Sequence, residues 1–283
     1  MHLRMRGMVN GITGPREDIS VMFPLLDLKI TSAAVHSVLD DFVTLKPDVE
    51  AVIRRCGDIS VNASVEASGA TVGFDGDLEV AQGATHIEAV YHKQSARHFI
   101  KARINTPGFE LGQLLDKADV GRLATNADID LEIQGRDVDG SANIEISQLG
   151  YKGYNYTGII ADVIKTGHSV SGEIHASDPN LDFDISGSGA LAGAASRLDI
   201  SADIRTLNMS PFKLPHRFSS LDVSGGIDVS LTGNSLDNAN GYIDVNDLHF
   251  DDGTHAPVSI SHLRVESQRQ ELPYTLSVDS EII

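Results

Sequence analysis

The amino-acid sequence predicts an all-β protein: an elongated, curled antiparallel sheet that repeats along the chain, with short helices connecting some strands. The first observation is strict alternation, clearest at Ala127-Asp-Ile-Asp-Leu-Glu-Ile133, where every second residue is apolar and those between are acidic. A period of two is typical of a strand with one apolar and one wet face. The second is that turn segments such as Gly135–Gly140 separate the alternating runs. The third is that the pattern recurs after 98 to 100 residues.

Composition and charge narrow the possible functions. The 283 residues suffice for one large all-β domain or two ordinary ones. Hydrophobic residues make up 41%, but aromatics only 5% and Trp is absent, so the chain lacks the large side chains that usually fill a thick core. The net charge of −18 argues against nucleic acid as a partner and against electrostatic docking on anionic membrane surfaces. The acids instead alternate on the wet faces of strands, where they discourage aggregation between sheets.

Targeting and redox features are few. Cys56 is the single cysteine, so an internal disulfide is excluded and a buried structural thiol is expected. No apolar run approaches the ~20 residues that span a bilayer. The start of the chain is basic but has no apolar stretch of the kind that signal peptides contain. An export signal, if the protein works outside the cytoplasm, would have to lie on chain beyond this sequence.

The first part of the chain divides into an irregular N-terminal end, residues 1–17, and a first sheet segment, residues 18–105. The N-terminal end contains three Gly and one Pro and shows no clear period. In the sheet segment, Val35–Phe42 and Asp48–Arg55 have the pattern of short helices, and Pro47 marks the start of the second. The predicted strands are Leu26–Ile30, Asp58–Val65, Thr71–Val80, Ile87–Tyr91 and Phe99–Ile104, of which the second and third form a hairpin across Ser68-Gly69.

Residues 106–205 form the next predicted repeat. The spacing of Leu111, Leu114 and Leu115 predicts one or two helical turns. Tyr151, Tyr154 and Tyr156 either form an aromatic patch for a ligand or pack across strands. Further strands are Ala142–Ile146, Ile159–Ile164, Val170–Ala176 and Leu181–Ile185, and Asp178-Pro-Asn180 between the last two is a turn rather than a carboxylate site.

Residues 206–283 repeat the preceding unit. Ile129-Asp-Leu-Glu-Ile-Gln-Gly135 aligns with Ile227-Asp-Val-Ser-Leu-Thr-Gly233, and Ala102 and Ile104 align with Ala202 and Ile204. The chain stops where the earlier repeat begins its next strand. We therefore expect the sequence to be a segment of a longer protein.

Residue patterns for catalysis or metal binding are missing. The eleven histidines are scattered without paired ligand spacing, and surface positions are expected for His92, His98, His168 and His175. Asp137, Asp139 and Asn143 loosely resemble a calcium loop, but the spacing is wrong and no glutamate closes it. No nucleophile motif and no phosphate-binding Gly loop occurs. We expect a protein that is not an enzyme and has no cofactor.

The apolar side of such a sheet must be covered. A repeat array can curl one long sheet so that the apolar face lines a trough, and lipid tails are its natural occupant. An acyl chain of about 15 methylenes carries about 12 kcal/mol of unfavourable hydration, which the trough would remove. The predicted lining residues are Ile129, Leu131, Ile133, Ile144, Ile146, Ile174, Phe183, Ile185, Ile200, Ile204, Ile227, Val229, Leu231, Ile243 and Val245.

The order of several motifs resembles a known family. Phe109–Leu115 is followed by Asp119–Leu123, a hairpin, Tyr151-Lys-Gly-Tyr-Asn-Tyr156 and Ser177–Leu181. This order is similar to that in the AsmA/TamB family, and above all in its long Bacteroidetes-type forms. The likeness covers most of residues 20–283 and is clearest over 99–250, and the order of the motifs carries it.

The resemblance implies a β-taco groove in an inner-membrane-anchored periplasmic protein. It further implies phospholipid transfer towards the outer membrane and a role in outer-membrane protein assembly with a TamA-like barrel partner. The membrane anchor and the partner-binding region of the family have no counterpart in this sequence, and the family supplies no catalytic residues. The alternative function is that of a non-catalytic structural or adhesive β-repeat scaffold, including one that templates strands by edge pairing. This alternative predicts a filled core and no bound lipid.

Overall fold

The structure is a computed structural model that describes residues 2–14, 19–32, 34, 47–190, 196–208, 210, 221–233, 239–268 and 275–282. Two helices with assigned bounds occur among them, α1 (Pro47–Arg55) and α2 (Leu111–Leu115). The strands are β1 (His2–Asn10), β2 (Ser20–Ile30), β3 (Ile59–Ser68), β4 (Thr71–Val80), β5 (Gly83–Gln94), β6 (Arg97–Glu110), β7 (Val120–Gln134), β8 (Asp137–Tyr151), β9 (Tyr154–Tyr156), β10 (Ile159–Thr166), β11 (Ser169–Asp178), β12 (Leu181–Ala190), β13 (Arg197–Asn208), β14 (Asp222–Thr232), β15 (Asn240–Asp251), β16 (Val258–Gln268) and β17 (Thr275–Ile282).

Antiparallel pairing of neighbouring strands builds the described part of the fold. The 17 strands described here belong to one sheet. From β1 to β7 each strand pairs with the next in sequence, and the same holds from β10 to β17. The strand β10 also pairs with β8. The predicted all-β class, an antiparallel repeat sheet with short connecting helices, is confirmed.

Two compact units divide the chain. The first unit comprises Met1–Val138 and Ile146–Asn155, and the second comprises Asp139–Glu145 and Tyr156–Ile283. The boundaries predicted after residues 105 and 205 follow the sequence repeat, which is a different criterion, and they stay predictions.

The N-terminal segment corrects one expectation. Residues 1–17 were predicted to be irregular, but His2–Asn10 forms β1 and pairs with β2. The register shifts between Arg6 and Met8, but the extra residue lies in β2, so β1 keeps its period of two. Leu3, Met5, Gly7 and Val9 share one face, where Gly7 contributes no side chain, and Met8 places an apolar side chain on the other. The sequence of β1 therefore shows no clear apolar alternation.

The predicted helices have separate outcomes. Asp48–Arg55 and the short element at Leu111–Leu115 are confirmed as α1 and α2. Pro47 is the first residue of α1, where its missing N–H removes no helical hydrogen bond. Val35–Phe42 lies outside the described residues.

The turns agree with their sequence signals. Ser68 pairs with Thr71 across a two-residue turn in which Gly69 has φ 55°. Asp178 pairs with Leu181, so Pro179 and Asn180 form the turn between β11 and β12. The predicted hairpins at both places are confirmed.

The sequence repeat is visible in strand register. Residues at equivalent positions in the two repeats pair with equivalent partners, since Ile100 pairs with Leu131 and Ala102 with Ile129, while Ile200 pairs with Val229 and Ala202 with Ile227. The same apolar rungs therefore recur in each unit.

Bulges keep the apolar side chains on one face near the end of the sheet where β13 turns into β14. Between β13 and β14 the register shifts between Ile204 and Leu207, with the extra residue in β13; between β14 and β15 it shifts between Ser224 and Gly226, with the extra residue in β15. The extra residue in β13 moves its apolar positions from even to odd numbers, so Leu207 continues the row that Ile204 ends. Gly225 has φ 142° at this bulge, a backbone conformation that L side chains rarely adopt.

Candidate functional site

The candidate site is the face of the sheet on which the apolar side chains lie, here called the apolar face. In the first unit, directly paired residues form rungs that cross several strands. Because directly opposite residues of an antiparallel pair point to the same side of the sheet, each rung lies on one face. Two such rungs run Val65–Phe74–Ala89–Ala102–Ile129 and Ala67–Val72–Tyr91–Ile100–Leu131.

The second unit has the same arrangement with its own residues. Two of its rungs run Ala161–Ile174–Ile185–Ala202–Ile227–Val245–Leu263 and Val163–Gly172–Gly187–Ile200–Val229–Ile243–Val265–Val278. Glycine and alanine are frequent in β10 to β12, so this part of the face carries little side-chain bulk.

The predicted lining residues are brought together by these rungs. Ile129, Leu131 and Ile133 share the apolar face of the first unit. In the second unit, register places on one face Ile174, Phe183, Ile185, Ile200, Ile204, Ile227, Val229, Leu231, Ile243 and Val245. Ile144 and Ile146 alternate in β8 with exposed neighbours. That these residues line a path for lipid stays a prediction.

The apolar face is not packed into a dry core. Among the described residues, no large side chain is fully buried, and the buried apolar residues are four alanines with Tyr156 and Val245. The relative solvent exposure is 40% for Ile174 and 37% for Ile243, whereas it is 9% for Val245. A sandwich would bury such residues between two sheets. In the described part of each unit this face is therefore open to a further apolar partner.

Both helices lie at the end of the sheet where β4 turns into β5. The guanidinium of Arg55, at the end of α1, donates to the backbone carbonyl of Leu114 at 3.3 Å and to Asp116 at 3.2 Å. Gln82, in the β4–β5 turn, donates from Nε2 to the Arg55 carbonyl at 2.6 Å. Cys56 follows α1 and is half-buried, and this burial raises the pKa of its thiol.

The opposite face of the sheet, here called the polar face, carries ion pairs across strands. In the first unit, Lys101 lies 2.9 Å from Asp130, and Arg103 lies 2.9 Å from Asp128. His86 Nδ1 lies 2.9 Å from Asp77, and the hydrogen bond with this carboxylate raises the pKa of the imidazole. These pairs lie on solvated surface, where each contributes little to stability.

An arginine marks the bulge of β13 on the polar face of the second unit. Arg205 Nη1 lies 2.6 Å from Asp184 and 3.0 Å from Asp203, and its Nε donates to Asp182 at 2.7 Å. The pKa of Asp184 is lowered by its hydrogen bond with His175, at 2.6 Å, and further by Arg205. The cluster ties β11, β12 and β13 together beside the irregular backbone.

A depression of about 530 Å³ on the polar face of the second unit was missed by sequence reasoning. It crosses β10 to β15, and its wall includes Ser171, Ser186, Ser188, Ser201 and Ser230. The sequence does contain a signal for this depression, because these serines occupy the solvent-facing positions that alternate with apolar residues along each strand. The trough predicted from the sequence is based on the apolar positions alone.

Two further findings concern the described residues alone. They contain no group of three His, Cys, Asp or Glu side chains placed to hold a metal ion. None of the helices in this part of the chain combines the length and apolarity of a membrane span.

Comparison with known proteins gives no relative. No family model, no curated protein and no solved structure matches the chain. The resemblance to AsmA/TamB proteins therefore stays a prediction, and function has to be argued from the two faces of the sheet.

Proposed function

We propose that the apolar face binds lipid acyl chains and that the protein moves phospholipids along it. The observation that carries the proposal is an extended row of paired Ile, Val and Leu side chains that no second layer covers in the described part of either unit. Uncovered apolar surface costs about 25 cal/mol per Å² in water. Acyl chains would remove that cost without any specific contact, because flexible chains conform to an irregular surface.

The dimensions of the face suit this ligand. In the first unit, β2 to β7 are six adjacent strands, which at about 4.8 Å per strand spacing give a width of about 24 Å. The small side chains of β10 to β12 leave room above the backbone in the second unit. The wider setting, a periplasmic protein anchored to the inner membrane that works with an outer-membrane barrel, comes from the family resemblance and belongs to the same proposal.

The test is lipid transfer between vesicles by charge variants of the apolar face. Leu131→Asp and Val229→Asp each place a carboxylate on a half-exposed position of the apolar face. The matched control is Val90→Asp, which adds the same group to the polar face opposite Lys101, at a side chain that is 48% exposed. We expect transfer of a fluorescent phospholipid to fall at least about tenfold in the first two variants, since bound acyl chains would bury the new carboxylate at a cost of several kcal/mol, and to persist in Val90→Asp.

Circular dichroism and urea midpoints test whether all three variants fold. Mass spectrometry of organic extracts from the purified protein adds a second readout, in which we expect co-purifying phospholipid. Transfer that is unchanged in both Leu131→Asp and Val229→Asp, or wild-type protein that neither transfers nor retains lipid, contradicts the proposal and favours a structural scaffold.

A further inference from the structure

We propose that Tyr91, Lys93 and His98 form a site for the phosphate of a lipid headgroup at one end of the apolar face of the first unit. This inference rests on the proposed function, because the site would bind the headgroup of a lipid whose acyl chains lie on the apolar face. Register places the three residues together, since Lys93 pairs with His98, and Tyr91 with Ile100 one rung away. On the apolar-face positions of β3 to β7, all within the described chain, they are the only ionisable side chains.

A hydrogen bond between Tyr91 and His98 engages one nitrogen of the imidazole. The Tyr91 hydroxyl lies 2.6 Å from His98 Nδ1, and the two rings lie with centroids 5.8 Å apart. When the hydroxyl donates to Nδ1, the ring carries its proton on Nε2. An Nε2–H group and the Lys93 ammonium are both hydrogen-bond donors for phosphate oxygens.

The proposed site has no carboxylate of the kind that pairs with Lys101 and Arg103 on the polar face. On the polar face of the same strands, Lys101 and Arg103 are paired with Asp130 and Asp128. Neither Lys93 nor His98 takes part in an ion pair with any described residue. The apolar-face positions of β3 to β7 contain no Asp or Glu. The net charge of −18 disfavours docking on an anionic membrane surface, yet it does not neutralise this local pair of donors.

The internal repeat supplies an independent comparison. His98, whose partner is Ile133, corresponds in register to Leu198, whose partner is Leu231. The strand before each of these pairs contributes Lys93 in the first unit and Gly189 in the second. Tyr91, which pairs with Ile100, corresponds to Gly187, which pairs with Ile200. The first unit thus has polar side chains at three positions where the second unit has Gly or Leu. Strand pairing does not require this difference between the two repeats.

The length of the strand matches one lipid. From Lys93 to Ile87 the strand β5 advances about 20 Å at about 3.4 Å per residue. The hydrocarbon of one bilayer leaflet is about 15 Å deep. A phosphate held at Lys93 and His98 therefore leaves apolar face enough for its acyl chains to lie along β5 and β6.

The test compares two probes that share their acyl chains. Binding of tail-labelled phosphatidylglycerol and of the corresponding tail-labelled diacylglycerol, both delivered from cyclodextrin, is measured for the full chain. The variants are Lys93→Gln/His98→Gln and the control Lys101→Gln, which removes a cation from the polar face of β6. His98→Leu introduces the residue found at the equivalent position of the other repeat. It removes the imidazole with a side chain that the sheet already carries at this position, and it replaces the double variant if that variant does not fold.

We expect wild-type protein to bind phosphatidylglycerol about tenfold more tightly than diacylglycerol, as charge-assisted hydrogen bonds to a phosphate suggest. The double variant should lose that preference while its affinity for diacylglycerol is unchanged, and Lys101→Gln should keep it. Equal affinity of wild-type protein for both probes, or an equal loss for both in the double variant, overturns the headgroup site but leaves the proposed function standing. Wild-type protein that binds neither probe overturns the proposed function as well. Equally tight binding of inorganic phosphate alone, abolished by the double variant, overturns the lipid headgroup as the source of the anion.

Discussion

Asp178 Oδ2 accepts a hydrogen bond from the backbone N–H of Thr157 at 3.0 Å and a second from its hydroxyl at 3.1 Å. The other oxygen, Oδ1, accepts the N–H of Asn180 at 2.9 Å. The side chain is thus one of the few polar groups buried in the described chain, with 2% exposure. A single carboxylate holds the β11–β12 turn against Thr157, which lies between β9 and β10.

Asp178→Ala should destabilise the second unit by about 3 kcal/mol, because it leaves buried donors without an acceptor. Thr157→Val keeps the shape and the backbone bond and should cost about 1 kcal/mol. Urea unfolding followed by circular dichroism measures both values. A loss below about 0.5 kcal/mol in Asp178→Ala would show that water replaces the carboxylate.

Gly76 approaches the neighbouring strand too closely for any side chain. A Cβ atom there would lie 2.3 Å from the Cβ of Ala63 and 2.6 Å from the carbonyl oxygen of Asn62. Gly76→Ala should therefore destabilise the first unit by about 2 kcal/mol through overpacking.

Gly73→Ala is the matched control for this substitution. It lies in the same strand, and its nearest neighbouring atom would be 3.9 Å from the new Cβ. Its effect on the urea midpoint should be small. Equal effects of the two substitutions would mean that loss of glycine flexibility, rather than the contact with Ala63, governs the result.

Much of this fold could be predicted because the sheet is built from local signals. Alternation at Ala127–Ile133, the turn at Asp178–Leu181 and the repeat each depend on residues close in sequence or on equal spacing. The main error has a local cause. In β1 the position between Met5 and Val9 on one face is Gly7, and Met8 lies on the other face, so a paired strand has the sequence pattern of an irregular end.

The candidate site was predictable only in part, because its polar members depend on register. The sequence predicts which residues alternate towards the apolar face, but for His98 it predicts only a surface position. Its hydrogen bond with Tyr91 requires that β5 and β6 pair with Lys93 opposite His98. A shift of one residue would place His98 on the other face. The contacts of Arg205 and Asp178 depend on pairing in the same way.

Arg205 should stabilise the bulge of β13 in a salt-dependent manner. Its ion pairs with Asp182, Asp184 and Asp203 are solvated, so dissolved ions weaken them. Arg205→Met should increase amide hydrogen exchange at Phe183 and Ile204, which flank the register shift. Raising the salt concentration should produce the same change in wild-type protein and little further change in the variant. Arg205→Lys, which cannot make the forked contacts, should lie between the two. Unchanged exchange in Arg205→Met would mean that the backbone alone maintains the bulge.

His86 should titrate above its ordinary pKa of 6.5, because its hydrogen bond with Asp77 favours the charged imidazole and Asp75 and Glu88 add to the effect. A raised folded-state pKa means that the stability due to this protonated imidazole is present below pH 6.5 and disappears as the pH rises through the folded value. Nuclear magnetic resonance titration of the imidazole measures the midpoint directly. Asp77→Asn should lower that midpoint more than Asp75→Asn does, since Asp77 makes the hydrogen bond while Asp75 lies 3.4 Å from Nε2. Glu88 also approaches Arg103 at 3.6 Å, so its contribution should be the smallest of the three. A wild-type midpoint at or below 6.5, or equal shifts in the two variants, would contradict the assignment of Asp77 as the main cause.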